Sequence, residues 1–281
     1  MGKDNKKILL TFDVEEFDLP LEHGISLPVS EQMAVGKQGL DVISEFLKDK
    51  TTSCTLFTTA NFALRYPAQI ARISVDHEIA SHTFFHSSFK REDLLNSRQV
   101  LEDIISKKVY GLRMPHMKKI EGGWIRKAGY SYDASVNPTW IPGRYNNFRS
   151  PRACYDENGI TRVPASVSAN FRIPLFWLAF KNLPYAYFKR LALQAFKKDG
   201  YLSLYFHSWE FVDLSNYNLP TIIKRKSGSE LLAKLKRLIT DLKNEGEFTT
   251  IQSFLDIGEE YAESSMFKIE NFKPSTFDFQ P

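Results

Sequence analysis

Apolar and polar positions along the chain follow two rhythms in turn. Residues 7–13 (KILLTFD) form an apolar run too short for a helix, closing on an acid, and predict a buried strand. Residues 40–48 switch to helical spacing, with Val42, Ile43, Phe46 and Leu47 on one side. The exchange then repeats. A strand is expected over 53–58, a helix over 61–73 in spite of Pro67, a short strand over 77–80 and an amphipathic helix over 91–107. Residues 109–113 and 131–135 are strand candidates either side of a helix at 124–128. Residues 201–207 (YLSLYFH) alternate and end on a histidine, 230–242 predict a helix, 248–251 a strand and 251–261 a last helix. Strand followed by helix over most of the chain predicts an α/β fold, either a parallel barrel or a doubly wound sheet.

The stretch 145–198 breaks this rhythm and reads as a helical insertion in a single catalytic domain over 1–265, with 266–281 as a C-terminal tail. At 281 residues, 43% hydrophobic and 25% charged, the chain has too much apolar surface to be disordered. It lacks an uncharged apolar run long enough to cross a membrane as a helix. The polar start, residues 1–7, runs straight into a strand and has no secretory pattern, and Lys6 stands where myristoylation needs Ser or Thr. Two cysteines, Cys54 and Cys154, make no disulfide framework, so a cytoplasmic protein is expected.

The net charge of +4 is unevenly spread. Residues 158–198 contain no Asp or Glu but hold Arg162, Arg172, Lys181, Lys189, Arg190, Lys197 and Lys198. Eight aromatics lie among these cations between Phe171 and Phe196. Such a segment suits a peripheral membrane contact through 171–198. It equally suits a helix that covers one side of the fold while its lysines reach outward, a reading favoured by the interruptions at Pro174 and Pro184. No signature of a nucleic-acid-binding fold accompanies it, and no nucleic-acid partner is expected.

Candidate chemistry collects at strand ends, where parallel α/β folds place their sites. If the first strand continues, its two-residue period points Asp13 and Glu15 to one face and Val14 to the other. Three of the six histidines fall within HEIASHTFFH, residues 77–86. His82 and His86 are four apart, so on a helical turn their rings would share one face within reach of one metal. The HExxH pattern does not fit, because His77–Glu78 is followed by a histidine five places on. Two histidines without thiols nearby call for a carboxylate as third ligand. Phosphate-binding glycine loops and G-x-S-x-G elbows are missing, so nucleotide hydrolysis and serine-esterase chemistry find no support. His23 and His77 have no partner visible in sequence. Trp124, Trp140, Trp177 and Trp209 could stack on sugar rings, Trp209 foremost because it follows His207 by two residues.

Together these segments resemble the polysaccharide deacetylase (NodB-homology) superfamily. HEIASHTFFH resembles its histidine motif, and LTFDVEE its first motif of paired acids after a strand. TLFTTANFA with Tyr66–Pro67 is similar to its second strand and helix. Arg113–Met114–Pro115–His116 resembles its Arg-x-Pro motif, Tyr132–Asp133–Ala134–Ser135 the segment after it, and LYFHSW at 204–209 the late histidine motif. The motifs occur in the family's order over residues 8–210, and 211–265 fit more loosely.

The resemblance implies a distorted (β/α) barrel that removes N-acetyl groups from an acetylated carbohydrate, a polysaccharide or glycan precursor, with one divalent metal ion, zinc foremost. It implies Asp13 as the base acting on a water held at the metal, Arg113 as its ion-pair partner, and His82 and His86 as ligands. His207 would be the general acid, Asp133 would orient His207 or the arginine, and a backbone N–H near His116 would bind the oxyanion. One departure stands out. Many members have two adjacent Asp, whereas here Val14 follows Asp13 and cannot ligate. Branches with Asp-x-Asp or Asp-x-Glu spacing point to Glu15 as third ligand, with Glu16 as the substitute. Relatives that hydrolyse small amides or ureides would share the metal site, and a non-catalytic glycan-binding relative would share the groove without tight metal binding.

Overall fold

The computed structural model describes residues 6–258. In chain order the strands are β1 (Lys7–Val14), β2 (Thr55–Thr58), β3 (Glu78–Ser81), β4 (Gly111–Leu112), β5 (Tyr132–Asp133), β6 (Trp140–Ile141), β7 (Tyr145–Asn146), β8 (Tyr155–Asp156), β9 (Thr161–Arg162), β10 (Tyr201–His207) and β11 (Glu247–Phe248). The helices are α1 (Leu19–Glu22), α2 (Val29–Phe46), α3 (Ala60–Arg65), α4 (Pro67–Ile73), α5 (Asp93–Ile105), α6 (Gly122–Lys127), α7 (Trp177–Asn182), α8 (Tyr185–Asp199), α9 (Thr221–Lys224), α10 (Ser229–Leu242) and α11 (Ile251–Phe254).

β10, β1, β2, β3, β4 and β5 are neighbours in that order and run parallel, and β9 continues parallel to β5. β8 turns back antiparallel on β9, and β11 adds a short parallel pairing to the start of β1. Ser166 then links the far flank to β10. Its N–H donates to the Ser203 carbonyl and its hydroxyl accepts from the Ser203 N–H, each at 2.9 Å. The sheet therefore curls into the distorted (β/α) barrel expected from the strand–helix alternation.

The two-residue period of β1 sorts its side chains between two layers. Ile8, Leu10, Phe12 and Val14 face outward into the main core beneath the helices. Leu9 packs inside the barrel with Phe57, Ala80, Tyr132 and Tyr201, and Thr11 and Asp13 follow it along the inner face. Apolar burial on both faces explains why the strand reads as a nearly continuous apolar run.

Sequence pattern and structure part company at α2 and in the insertion. α2 begins at Val29 rather than near residue 40, because Gly36 and Gly39 weaken the helical signal of its first half. Both glycines answer a need for space. A Cβ at Gly36 would lie 2.3 Å from the Glu15 carbonyl oxygen, and one at Gly39 would lie 2.1 Å from that of Ser208. The helix expected over 61–73 is split at Pro67, which opens α4 at a position where its missing N–H costs nothing.

In the stretch 145–198, the second half is the barrel-covering helix α8, which buries Phe188, Leu191, Ala192, Ala195 and Phe196. Of the eight aromatics there, only Phe171 and Tyr187 are exposed. Tyr185 and Lys189 both reach Asp241 of α10, at 2.5 and 2.8 Å. The apolar face of α8 is thus spent on the core, as the covering-helix reading expected. The expected tail, 266–281, lies outside the described residues, as does the end of the helix expected over 251–261. Among the described residues no helix is long and apolar enough to cross a membrane.

Candidate metal and catalytic site

At the carboxyl end of β1, the inward period carries through Asp13 to Glu15 and brings both carboxylates into one buried pocket. Asp13 Oδ1 accepts from Arg113 Nη1 at 2.6 Å. The same guanidinium nitrogen donates to the Thr11 hydroxyl at 3.0 Å, and Nε donates to the Ala134 carbonyl at 3.3 Å. Arg113 lies over the Phe57 ring, 4.0 Å from its centroid. A buried, fully engaged guanidinium fixes where the Asp13 carboxylate points.

His82 and His86 come together, but not on a helix. His82 directly follows β3, and Thr83 takes a left-handed φ of 64° that turns the chain. Backbone bonds from Ala60 and Asn61 to the carbonyls of Thr83 and Phe84 hold this loop, at 3.0 and 2.9 Å. Glu16 secures its far end. It accepts from the His86 backbone N–H at 3.2 Å, the Thr59 hydroxyl at 2.8 Å and the Asn61 amide at 3.3 Å. Glu16 is therefore occupied in bracing the loop, and the part of substitute ligand falls away.

Glu15 is the carboxylate that meets the histidines. Its Oε2 lies 3.0 Å from His82 Nε2 and 3.3 Å from His86 Nε2. The opposite ring nitrogens are both committed: His82 Nδ1 to the Arg113 carbonyl and His86 Nδ1 to Asp18 Oδ1, each at 2.7 Å. A carbonyl can only accept, so His82 carries a proton on Nδ1 and turns Nε2 toward Glu15. Glu15 Oε2 is buried without a hydrogen-bond partner, while Oε1 accepts from the Trp209 indole N–H at 2.9 Å. Three donor atoms thus converge within 4.8 Å of one another.

Four buried carboxylates, Asp13, Glu15, Glu16 and Asp18, stand here against the single guanidinium of Arg113. Such an excess calls for another positive charge. Burial pushes the His86 imidazole down, yet the carboxylates of Glu15 and Asp18 overcome it and raise its pKa to about 10. Burial works against ionisation of Glu15 as well, but His86 and His82 win and hold it well below the usual carboxylate range. One divalent cation fits this donor set: two imidazoles, one carboxylate, and ring orientations fixed by outer partners.

His207 ends β10 directly beside Asp13 in the parallel register. Its Nε2 lies 3.8 Å from Asp13 Oδ2, and its Nδ1 bonds Glu210 at 3.0 Å. Glu210 also accepts the His207 backbone N–H at 2.8 Å and lies 3.5 Å from the buried Lys181 ammonium. Burial pushes the His207 pKa down, but the bond to Glu210 and the charges of Glu15, Glu210 and Asp13 together raise it.

Two expected residues sit differently. Asp133 touches neither His207 nor Arg113; it pairs with the buried Arg162 at 2.5 Å and accepts from the Ser135 hydroxyl. Ser135 in turn accepts the Met114 backbone N–H at 2.8 Å, so Asp133 braces the loop after Arg113 from behind. Orientation of His207 falls to Glu210. Trp209 is 2% exposed, stacked on His207 and bonded to Glu15, which leaves no free face for a sugar. His116 stands at the mouth, its ring 4.6 Å from that of His86 and its Nδ1 3.3 Å from Glu22. His77 lies outside the site, at the opposite end of β3 with Nδ1 3.7 Å from Cys54 Sγ.

Asp18 and Glu210 were missed because each acts through a histidine rather than in a motif of its own. The signal for Glu210 was its place three residues after His207, where a carboxylate reaches back to the first residue of a turn. Asp18 offered only a generically acidic neighbourhood.

Above these groups is a cavity of about 190 Å³, lined by Asp13, Glu15, His82, His86 and His207. Phe176, Trp177, Ile141 and Tyr145 of the irregular segment wall one side, and Leu19 and Ile223 another.

Residues 2–122 match the family model described as Polysaccharide deacetylase. The fold is similar to that of a candidate polysaccharide deacetylase from Mycobacterium smegmatis, at TM-score 0.61 and 18% identity, covering 91% of each chain. PuuE allantoinase is as similar, at TM-score 0.61 and 17% identity, covering 91% of this chain and 90% of that one. A CE4 family pseudoenzyme from Bacillus anthracis follows at TM-score 0.50 and 12% identity, covering 91% of this chain and 67% of that one. No curated protein matches the chain.

Proposed function

We propose that the chain, whose residues 2–122 match the Polysaccharide deacetylase family model, hydrolyses the N-acetyl amide of a sugar, in a polysaccharide or a glycan precursor, with one divalent cation held by Glu15, His82 and His86. The donor set of two imidazoles and a carboxylate suits zinc. One observation carries this reading: the partnerless Glu15 Oε2 faces two imidazole nitrogens whose rings are each held from behind. When bound, the cation supplies Lewis acidity toward the acetyl carbonyl and acidifies a water.

The chain's own groups do the rest. Asp13, aimed by Arg113, accepts the proton of the water that attacks the carbonyl carbon. The backbone N–H of His116 is the proposed donor to the oxygen on which charge develops. His207 is the proton donor, its charged form favoured against burial by Glu210, Glu15 and Asp13. It passes that proton to the sugar nitrogen as the carbon–nitrogen bond breaks, and acetate and amine leave. His207 Nε2 lies 3.8 Å from Asp13 Oδ2, so the proposed acid and base both border the cavity in which the amide is proposed to bind.

A second reading, hydrolysis of a small amide or ureide by the same groups, draws on the apolar walls that Phe176, Trp177, Ile141 and Tyr145 give the cavity. Acetate release from acetylated glycans against turnover of small ureides separates the two. Metal analysis and acetate release together test the site. The wild type should carry one metal and release acetate, His82→Ala should lose both, and Asp13→Asn should keep the metal while activity falls ~10²–10⁴-fold. Full acetate release from His82→Ala would refute the mechanism, and wild-type protein without stoichiometric metal would leave the non-catalytic glycan-binding reading.

A further inference from the structure

Large aromatic side chains exposed to water are few among the described residues, and three of them lie on two joined loops next to the cavity wall. Trp140 is 61% exposed, Phe148 49% and Phe171 79%. They belong to two loops, residues 137–150 and 168–174, that are tied into one body. The Thr139 hydroxyl donates to the Arg172 carbonyl at 2.7 Å, and Arg172 Nη1 donates to the carbonyls of Pro138 and Ser150 at 3.1 and 2.8 Å. The Arg172 guanidinium also lies 5.3 Å from the Phe148 ring centroid. Ile141 and Tyr145, from the same β6–β7 hairpin as Trp140, wall the catalytic cavity.

The two loops contain no Asp or Glu and hold three arginines, Arg144, Arg149 and Arg172. Arg144 and Arg149 are exposed on the aromatic loop itself. Glu22 answers Arg144 at 2.8 Å. These loops hold no carboxylate to bond sugar hydroxyls, and their rings are interleaved with arginines and with Asn146 and Asn147. Exposed aromatics set among cations match a bilayer interface, where rings enter the headgroup layer and cations meet anionic lipid.

We propose that residues 137–150 and 168–174 form a docking surface for an anionic lipid bilayer, with the catalytic cavity opening beside it at headgroup depth. The surface differs from the segment suggested by the aromatic count, because α8 spends its apolar face on the core. It stands on exposure, charge and loop geometry, independently of the acyl chemistry proposed above. Its consequence for that chemistry is an acylated sugar met at a lipid surface.

The test is flotation of the full chain with vesicles of phosphatidylcholine, with and without phosphatidylglycerol. Wild type should float with the phosphatidylglycerol vesicles and lose that binding as salt rises. Arg149→Ala should weaken partition about fivefold. Trp140→Ser/Phe148→Ser/Phe171→Ser should weaken it at least ~10-fold, with an unchanged melting temperature because the three side chains lie at the surface. Brominated lipid should quench wild-type fluorescence and leave Trp140→Phe unquenched, which reads insertion without relying on the triple variant. Absence of binding to phosphatidylglycerol vesicles would overturn the proposal. So would binding that the triple variant retains, or triple-variant loss of binding to a soluble acetylated oligosaccharide where vesicles never bound.

Discussion

Adding one methyl group at Gly36 tests whether α2 positions the third metal ligand. An alanine Cβ there would stand 2.3 Å from the Glu15 carbonyl oxygen and 2.9 Å from the edge of the Phe62 ring. The ring can yield, but the carbonyl belongs to the backbone that carries Glu15, so about 1 Å must open between α2 and that backbone to restore contact distance. Overpacking of this kind costs ~1–3 kcal/mol, and alanine in place of glycine returns about 1 kcal/mol of helix propensity. Stability should therefore fall by only ~0–2 kcal/mol. The site is far less tolerant. Ligand distances are held to ~0.2 Å, and a 1 Å misplacement of a working group costs on the order of 10²-fold. Gly36→Ala should thus melt within a few degrees of wild type while losing metal affinity and activity ~10²-fold, read by chelator competition and acetate release. Gly39→Ala is the matched contrast. Its Cβ would meet the Ser208 carbonyl at 2.1 Å, next to His207, so turnover should fall while the metal stays bound. A Gly36→Ala protein with wild-type metal affinity and activity would refute the idea that this close approach sets Glu15.

Two further outcomes follow from the groups behind the histidines. Asp18→Asn removes the charge bonded to His86 Nδ1 and should lower metal affinity ~10–100-fold in chelator competition; unchanged affinity would remove Asp18 from the site. Glu210→Gln removes the hydrogen-bonding charge that raises the His207 pKa. A general acid works below its pKa and fails as pH rises through it, so the alkaline limb of kcat/KM should move to lower pH, and an unmoved limb would exclude His207 as the acid.

Much of the site could be read from residue order because each motif sits where a strand ends. Asp13 and Glu15 share a face because the two-residue period of β1 runs past its carboxyl end, and Val14 is turned into the outer core. The histidine pair was legible as a pair, although the helical turn assumed for it is a loop bent at Thr83 and braced by Glu16. Asp133 misled because its motif follows that of Arg113 in the family's order, while its carboxylate points to Arg162.

What the sequence by itself determined was local: strand and helix periods, the alternation that forms a parallel α/β barrel, and the residue types able to bind a metal and move protons. Only the tertiary structure decided which carboxylate serves which partner. Four acids, Asp13, Glu15, Glu16 and Asp18, lie within six residues, yet one pairs with Arg113, one faces the imidazoles, one clamps a loop and one orients His86. That division depends on contacts with residues 59, 61, 82, 86 and 113, far away along the chain, and on glycines whose value lies in the space they leave. A periodic pattern reports which face of an element is buried. It carries no information about what stands opposite, and in a buried polar site the opposite group sets charge, proton and function.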